Sequence, residues 1–223
     1  MKNRVATHTL IAGCAALLAA FAAVADKPPQ TWDGLELTKK KGIDLVYVRP
    51  NVQFKAYKSV AIDGLEVAFD KNWDPNDSVR SSSRRMTTED IQKIREDMAG
   101  EFRKVFVEEL GKGGYTVVEQ PNDDTLRVSP GLADVFINAP DRMEPGRITT
   151  YTTDAGRMTL VMELRDGRTN QLLARVIDQK VGTQTGFAQV TNSVTNSAEF
   201  RRMVRAWAQR LVKGLDKLNG KAG

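Results

Sequence analysis

The chain carries one cysteine, Cys14, and one histidine, His8, and both fall within its first 25 residues. Beyond residue 25 there is neither thiol nor imidazole. That stretch can hold no disulfide, no thiol nucleophile, no Ser-His-Asp relay, no thiolate zinc and no metal site that depends on imidazole. Any catalysis there would rest on carboxylates, Tyr, Ser or Lys, as in a hydrolase built from those groups alone. Carboxylate pairs such as Glu163 with Asp166, or Glu96 with Asp97, have the residue types for acid and base work on a glycan, but no recognisable motif surrounds them. We expect no enzyme activity and no cofactor.

The run Asp70-Lys71-Asn72-Trp73-Asp74-Pro75-Asn76-Asp77 spaces oxygen ligands at alternate positions, as a calcium loop does. The match then fails. Pro75 stands where such a loop needs glycine, and Ser81 stands where a glutamate would close it, so we read a turn rich in Asp and Asn and expect no metal. The glycines from Gly111 to Gly114 lack the Lys-Ser/Thr of a phosphate loop and read as a helix stop.

Basic side chains gather in two places. Arg80, Arg84 and Arg85 lie among serines in Ser78 to Arg85, and no aromatic residues alternate with them as a platform for bases would require. Arg201, Arg202, Arg205, Arg210, Lys213 and Lys217 crowd one segment against Glu199 and Asp216. These six residues form a candidate surface for an anionic partner, either another envelope protein or an anionic membrane. A solvated helix face is the plainer reading. Nucleic acid is not expected as a partner, and the sequence leaves the oligomeric state open.

The ends of the chain say where such a surface would work. Lys2 and Arg4 precede an apolar stretch from Leu10 to Val24, and Ala23-Val24-Ala25 offers the small-x-small pattern that a signal peptidase cuts. The stretch is shorter than the roughly 20 apolar residues that span a bilayer. Residues 1–25 therefore read as a cleaved signal peptide that delivers the chain to the periplasm. A second cut stays open, because Leu10-Ile11-Ala12-Gly13-Cys14 resembles a lipobox, which would leave Cys14 lipidated and the chain anchored in the outer membrane. Cutting after Ala25 removes Lys2 and Arg4, so 33 basic side chains become 31 against 28 acids, an excess too small to mark a nucleic-acid binder by itself.

The rest reads as 26–44 lead-in, 45–218 one domain and 219–223 tail. The lead-in is polar, holds Pro28-Pro29 and ends in Lys39-Lys40-Lys41-Gly42. Strands are expected at Leu45 to Val48, Tyr57 to Ile62, Leu65 to Phe69 and Tyr115 to Val118, then from Thr125 to Asn138 with a bend at Pro130-Gly131. A hairpin should join Met158 to Leu164 with Gln171 to Asp178 through a turn containing Asp166-Gly167. Polar loops are expected at Ala139 to Gly156 and Gly182 to Thr195.

Two helices are expected. Thr87 can cap the first, with Asp90 three residues on, and Ile91, Ile94, Met98, Phe102, Val105, Phe106 and Leu110 recur at helical spacing. Asn196 with Glu199 can cap the second, whose apolar stripe is Phe200, Met203, Val204, Trp207, Leu211, Leu215 and Leu218. The order predicts an α/β (α+β) two-layer sandwich, a mixed or mainly antiparallel sheet of four to five strands with both helices on one face.

Tyr57 to Phe69, Leu126 to Val135, the hairpin residues Met162 to Gly167 and Trp207-Ala208 together resemble the bacterial domain of unknown function 3313 family. The likeness would cover roughly Leu45 to Leu218. It implies an envelope protein, often a lipoprotein, without an established activity, so no site residue carries over.

Overall fold

The structure is a computed structural model that describes residues 27–77, 85–137, 150–152, 156–181, 189–191 and 193–220. Residues 1–26 with His8 and Cys14, most of the arginine-serine loop and most of the two polar loops lie outside the described residues.

Chain order begins with three strands, β1 (Thr31–Trp32), β2 (Leu35–Thr38) and β3 (Leu45–Val48). A short 3-10 turn at Phe54–Ala56 leads to β4 (Ser59–Ile62) and β5 (Glu66–Phe69), and α1 (Thr88–Lys112) follows. Then come β6 (Thr116–Val118), β7 (Thr125–Phe136), β8 (Thr150–Thr152), β9 (Arg157–Asp166), β10 (Leu172–Val181), β11 (Gln189–Thr191) and α2 (Ser193–Leu218). Among the described residues, nine strands share one sheet in the order β1-β2-β3-β10-β9-β7-β4-β6, with β5 also paired to β7, and β8 pairs with β11 separately.

The expected class, α+β with two helices on a mixed sheet, agrees with this. The expected four to five strands do not. The sheet is larger for two reasons. The lead-in is not an unpacked tail, because β1 and β2 extend the sheet beyond β3 and Leu35 is fully buried against Tyr47 and Leu172. In addition β4 and β5 lie end to end along the same side of β7, both parallel to it. Asp63 turns the chain between them and donates its backbone N–H to the Val128 carbonyl.

The tandem arrangement also explains Pro130. It stays in register with Met162 on β9, and on its other side it meets the break between Ile62, opposite Val128, and Glu66, opposite Gly131. A proline costs no ladder bond where no strand is available to accept one. The irregularity expected at Pro130-Gly131 falls instead between Ala133 and Phe136, where Asp134 takes a left-handed φ of 50°.

Alternation assigns the faces of the sheet. Val128 and Leu132 on β7 stand opposite Leu164 and Leu160 on β9, Leu126 and Met162 lie on the same face, and Val60 and Ile62 on β4 join them opposite Leu126 and Val128. This face packs against both helices, which contribute Met98, Phe102, Val105, Phe106 and Leu110 from α1 and Phe200, Met203, Val204, Trp207, Leu211 and Leu215 from α2. Helix α1 starts as expected: Thr87 accepts from the Asp90 N–H while Asp90 accepts from the Thr87 N–H, a reciprocal cap. It ends at Gly113, where a Cβ would stand 2.6 Å from a Val212 methyl, so glycine here lets the two helices approach. Helix α2 begins at Ser193 and not after Asn196, which lies inside it.

Candidate functional site

The same alternation that sends Leu160, Met162 and Leu164 toward the helices sends Glu163 and Arg165 to the opposite face of β9. Register puts Arg175 of β10 and Ser129 of β7 on either side of Glu163, and Arg127 beside Arg165. The result is a charged row crossing three strands. Glu163, 1% exposed, has both oxygens taken. Arg175 donates to Oε1 from Nε at 3.0 Å and Nη2 at 2.7 Å, and Arg165 donates to Oε2 from Nε and Nη2.

Both ends of the row are closed by acids from short connections. Asp63 accepts from Arg127 Nε at 2.8 and 2.9 Å and closely from the Ser129 hydroxyl. Asp33, in the β1–β2 turn with φ 53°, accepts from Arg175 Nη2 at 2.8 Å. Trp32 lies over the Arg175 guanidinium at 4.1 Å and meets Tyr47 edge-on. Three guanidiniums therefore face three carboxylates. The Arg175 Nη1 atom is buried and has no hydrogen-bond partner among the described residues.

On the helix side a second carboxylate is buried alone among cations. Asp178 Oδ2 accepts from Trp207 Nε1 at 2.8 Å and Arg210 Nη1 at 3.2 Å, and Lys180 Nζ stands 2.7 Å away. Its Oδ1 accepts the Asp44 N–H. This network pins the middle of α2 to β10. Between the helices, Glu109 accepts from Lys112, Arg205 and Gln209, and the Lys112 hydrogen bond foremost holds its carboxyl below the usual range despite burial.

The candidate anionic-partner residues of α2 do not form one free surface. Arg201 lies 3.6 Å from Glu101, Arg202 pairs with Glu199 at 2.8 Å, and Arg205 reaches Glu108 and Glu109 on α1. Arg210 turns to Asp178. Lys213 and Lys217 are exposed and make no ion pair among the described residues. Sequence alone shows the cations but not these acids, because Glu101, Glu109 and Asp178 come from other elements.

The other candidates resolve in the same way. Asp70 accepts from the Asn72 N–H and from Arg157, and Asp74 accepts from the Asn76 N–H, so the run from Asp70 is a hydrogen-bonded turn; Ser81 lies outside the described residues. The Asn72 backbone N–H, then Arg157, keep the Asp70 carboxyl below its ordinary range. Glu163 and Asp166 sit on opposite faces of β9. Asp166 accepts from the backbone of Arg168 and Thr169 and from the Tyr57 hydroxyl at 2.8 Å. Asp97 pairs with Lys93. The charged row itself was partly readable, since Glu163, Arg165 and Arg175 flank one hairpin turn, but nothing near Asp33 or Asp63 in sequence announces their part.

Chemically, the Glu163 carboxylate accepts two N–H donors on each oxygen, which makes it a strand-to-strand clamp. The row is suited to holding strands and the β1–β2 turn together.

The family described as Protein of unknown function (DUF3313) matches residues 29–211, and the chain belongs to it. No curated protein matches the chain. Among solved structures it is similar to PelC from Paraburkholderia phytofirmans, solved as a dodecamer, at 11% identity and a TM-score of 0.36, with 74% of this chain and 97% of that one covered. A minor lipoprotein from Acinetobacter baumannii gives 11% and 0.32, covering 74% and 95%. The protein XCC0632 from Xanthomonas campestris gives 10% and 0.41, covering 84% and 96%. Likeness this low says nothing of what this chain binds or assembles into.

Proposed function

We propose that this protein is a non-catalytic accessory or binding domain of the bacterial envelope, exported by residues 1–25 and working in the periplasm after cleavage at Ala25. The observation that carries the reading is the internal pairing of the charged row, in which Glu163 is shared by Arg165 and Arg175 and Asp63 is held by Arg127 and Ser129. Charge spent on such pairs supports a scaffold for recognition more than a site for proton transfer. The absence of thiol and imidazole beyond residue 25 points the same way.

The test is incubation of the pure protein with peptidoglycan and with chromogenic esters and glycosides. No turnover is expected; turnover that survives further purification would replace this reading with that of a periplasmic hydrolase. The sequence Leu10 to Cys14 favours a second form of the same proposal, an outer-membrane lipoprotein anchored at Cys14. Intact mass separates the two, since a chain beginning at Asp26 without lipid fits only the first.

A further inference from the structure

Helix α1 turns one face to solvent that the rest of the domain does not use. Lys93, Asp97, Gly100, Lys104, Val107 and Gly111 recur at alternating four- and three-residue steps, opposite the buried stripe of Met98, Phe102, Val105 and Glu109, and all are exposed. Two positions on this face are poor choices for one that meets only water. Val107 is 38% exposed, and among the described residues only Val181 and Leu218 are large apolar side chains exposed to a similar degree. Gly100 lies in the interior of the helix, where glycine is weaker than alanine, yet a Cβ there would meet nothing within 4 Å. Gly113 makes room for Val212, but nothing inside the domain asks for a glycine at position 100.

The charges of this face are divided along the helix. Glu89, Asp90, Glu96 and Asp97 make its N-terminal half acidic, relieved by Lys93 alone. Lys104 and Lys112 lie in the C-terminal half, where Glu108 is answered by Lys112 and by Arg205 of α2. Lys104 makes no ion pair among the described residues, and Asp97 makes only a loose one with Lys93, at 3.9 Å. A second α1 laid antiparallel across Gly100 would set Asp97 against the second copy's Lys104, Lys93 against its Glu108 and Glu89 against its Lys112. A two-fold axis makes each of these contacts twice. In a parallel arrangement the two acidic halves would lie on each other.

We propose that the exposed face of α1 is where two copies of this chain pair, antiparallel and crossing at Gly100. Exposed ion pairs add little strength each, but complementary charge selects orientation and register. Strength comes from close approach. With no side chain at Gly100 the two backbones can come to the short end of the roughly 8–10 Å range of packed helices, which lets Val107 bury itself against the second copy. Because acids and bases alternate here, the face offers an anionic bilayer no excess of positive charge. The pairing leaves the Glu163 row untouched and holds with or without the envelope placement proposed above.

Sedimentation equilibrium on the protein as its own cells process it is expected to show a monomer–dimer equilibrium that weakens as salt is raised. Lys104→Glu sets an acid against the second copy's Asp97, and Asp97→Lys sets a base against its Lys104. Each should weaken the dimer at least about tenfold. The double variant D97K/K104E recreates both contacts with the signs exchanged and should return to within about threefold of the parent. Gly100→Gln favours the helix but places a side chain at the crossing, so the dimer should weaken at least about tenfold while the thermal midpoint of the dilute monomer does not fall. Lys58→Glu changes an exposed charge away from α1 and should stay within about twofold of the parent. Circular dichroism checks that every variant remains folded. A protein that stays monomeric at the highest concentration reached, a dimer that the single variants leave intact, or a double variant that does not recover overturns the pairing.

Discussion

Arg175 on β10 and Glu163 on β9 stand directly opposite each other, and the guanidinium grips one carboxylate oxygen from both Nε and Nη2. Arg165 holds the other oxygen, so removing the carboxylate charge strands two cations on a covered face. Glu163→Gln is expected to cost roughly 3–5 kcal/mol in urea unfolding. Combining it with Arg175→Met should recover part of that loss, and strictly additive losses would show that the pair is not coupled.

Trp207 and Asp178 tie α2 to the sheet. With the carboxylate 1% exposed and facing two further cations, Asp178→Asn should destabilise by about 2–4 kcal/mol. The near-ultraviolet circular dichroism of the indole should weaken before global unfolding. An unchanged spectrum and midpoint would mean that Arg210 and Lys180 find water instead.

Gly167 occupies the turn between β9 and β10, where a Cβ would come within 2.6 Å of the Thr125 carbonyl oxygen and 2.8 Å of that of Asn122. Those atoms are backbone and cannot rotate away. Gly167→Ala is therefore expected to cost about 1–3 kcal/mol. Gly64→Ala, where nothing lies within 4 Å, should change stability by less than about 0.5 kcal/mol. Thermal midpoints of the two variants make the comparison.

Three carboxyls give the stability a direction with pH. Asp70, Glu109 and Asp166 all titrate below their ordinary values, Asp166 chiefly through the Thr169 backbone N–H. A depressed folded pKa contributes stability above the unfolded value, and that stability is lost as pH falls through the folded one. The urea midpoint should therefore drop as pH is lowered beneath 3.8 to 4.5, and Asp166→Asn should shallow the decline. On the alkaline side, burial and then the Asp216 hydrogen bond push Tyr115 up to about 12. Its contribution is complete below pH 10.0 and is lost as pH rises toward about 12, which phenolate absorbance can follow beside the unfolding curve.

Helices were the most legible part of this chain because their signals are local. Thr87 with Asp90, and apolar residues at three- and four-residue spacing, predict α1 and its buried stripe without reference to any other segment. The start of α2 was less legible, since Asn196 looks like a cap and instead lies within the helix. Strand number was misjudged where strands are short. Thr31–Trp32 and Leu35–Thr38 carry too few apolar residues to stand out, and only Tyr47 and Leu172 across the sheet give Leu35 a place to be buried.

By itself the sequence determined that residues beyond 25 work without cysteine or histidine and that two amphipathic helices accompany a sheet. Tertiary structure alone decided which charges are used up. Glu163 meets Arg175 because hairpin register makes them neighbours, while Asp33 and Asp63 reach the row from turns far away in sequence. Arg201, Arg205 and Arg210 find acids on other elements, whereas Lys39 to Lys41 and Lys213 keep their charge for solvent. Charge can be counted along a chain, but ion pairing depends on distances of a few ångströms between segments that only folding brings together.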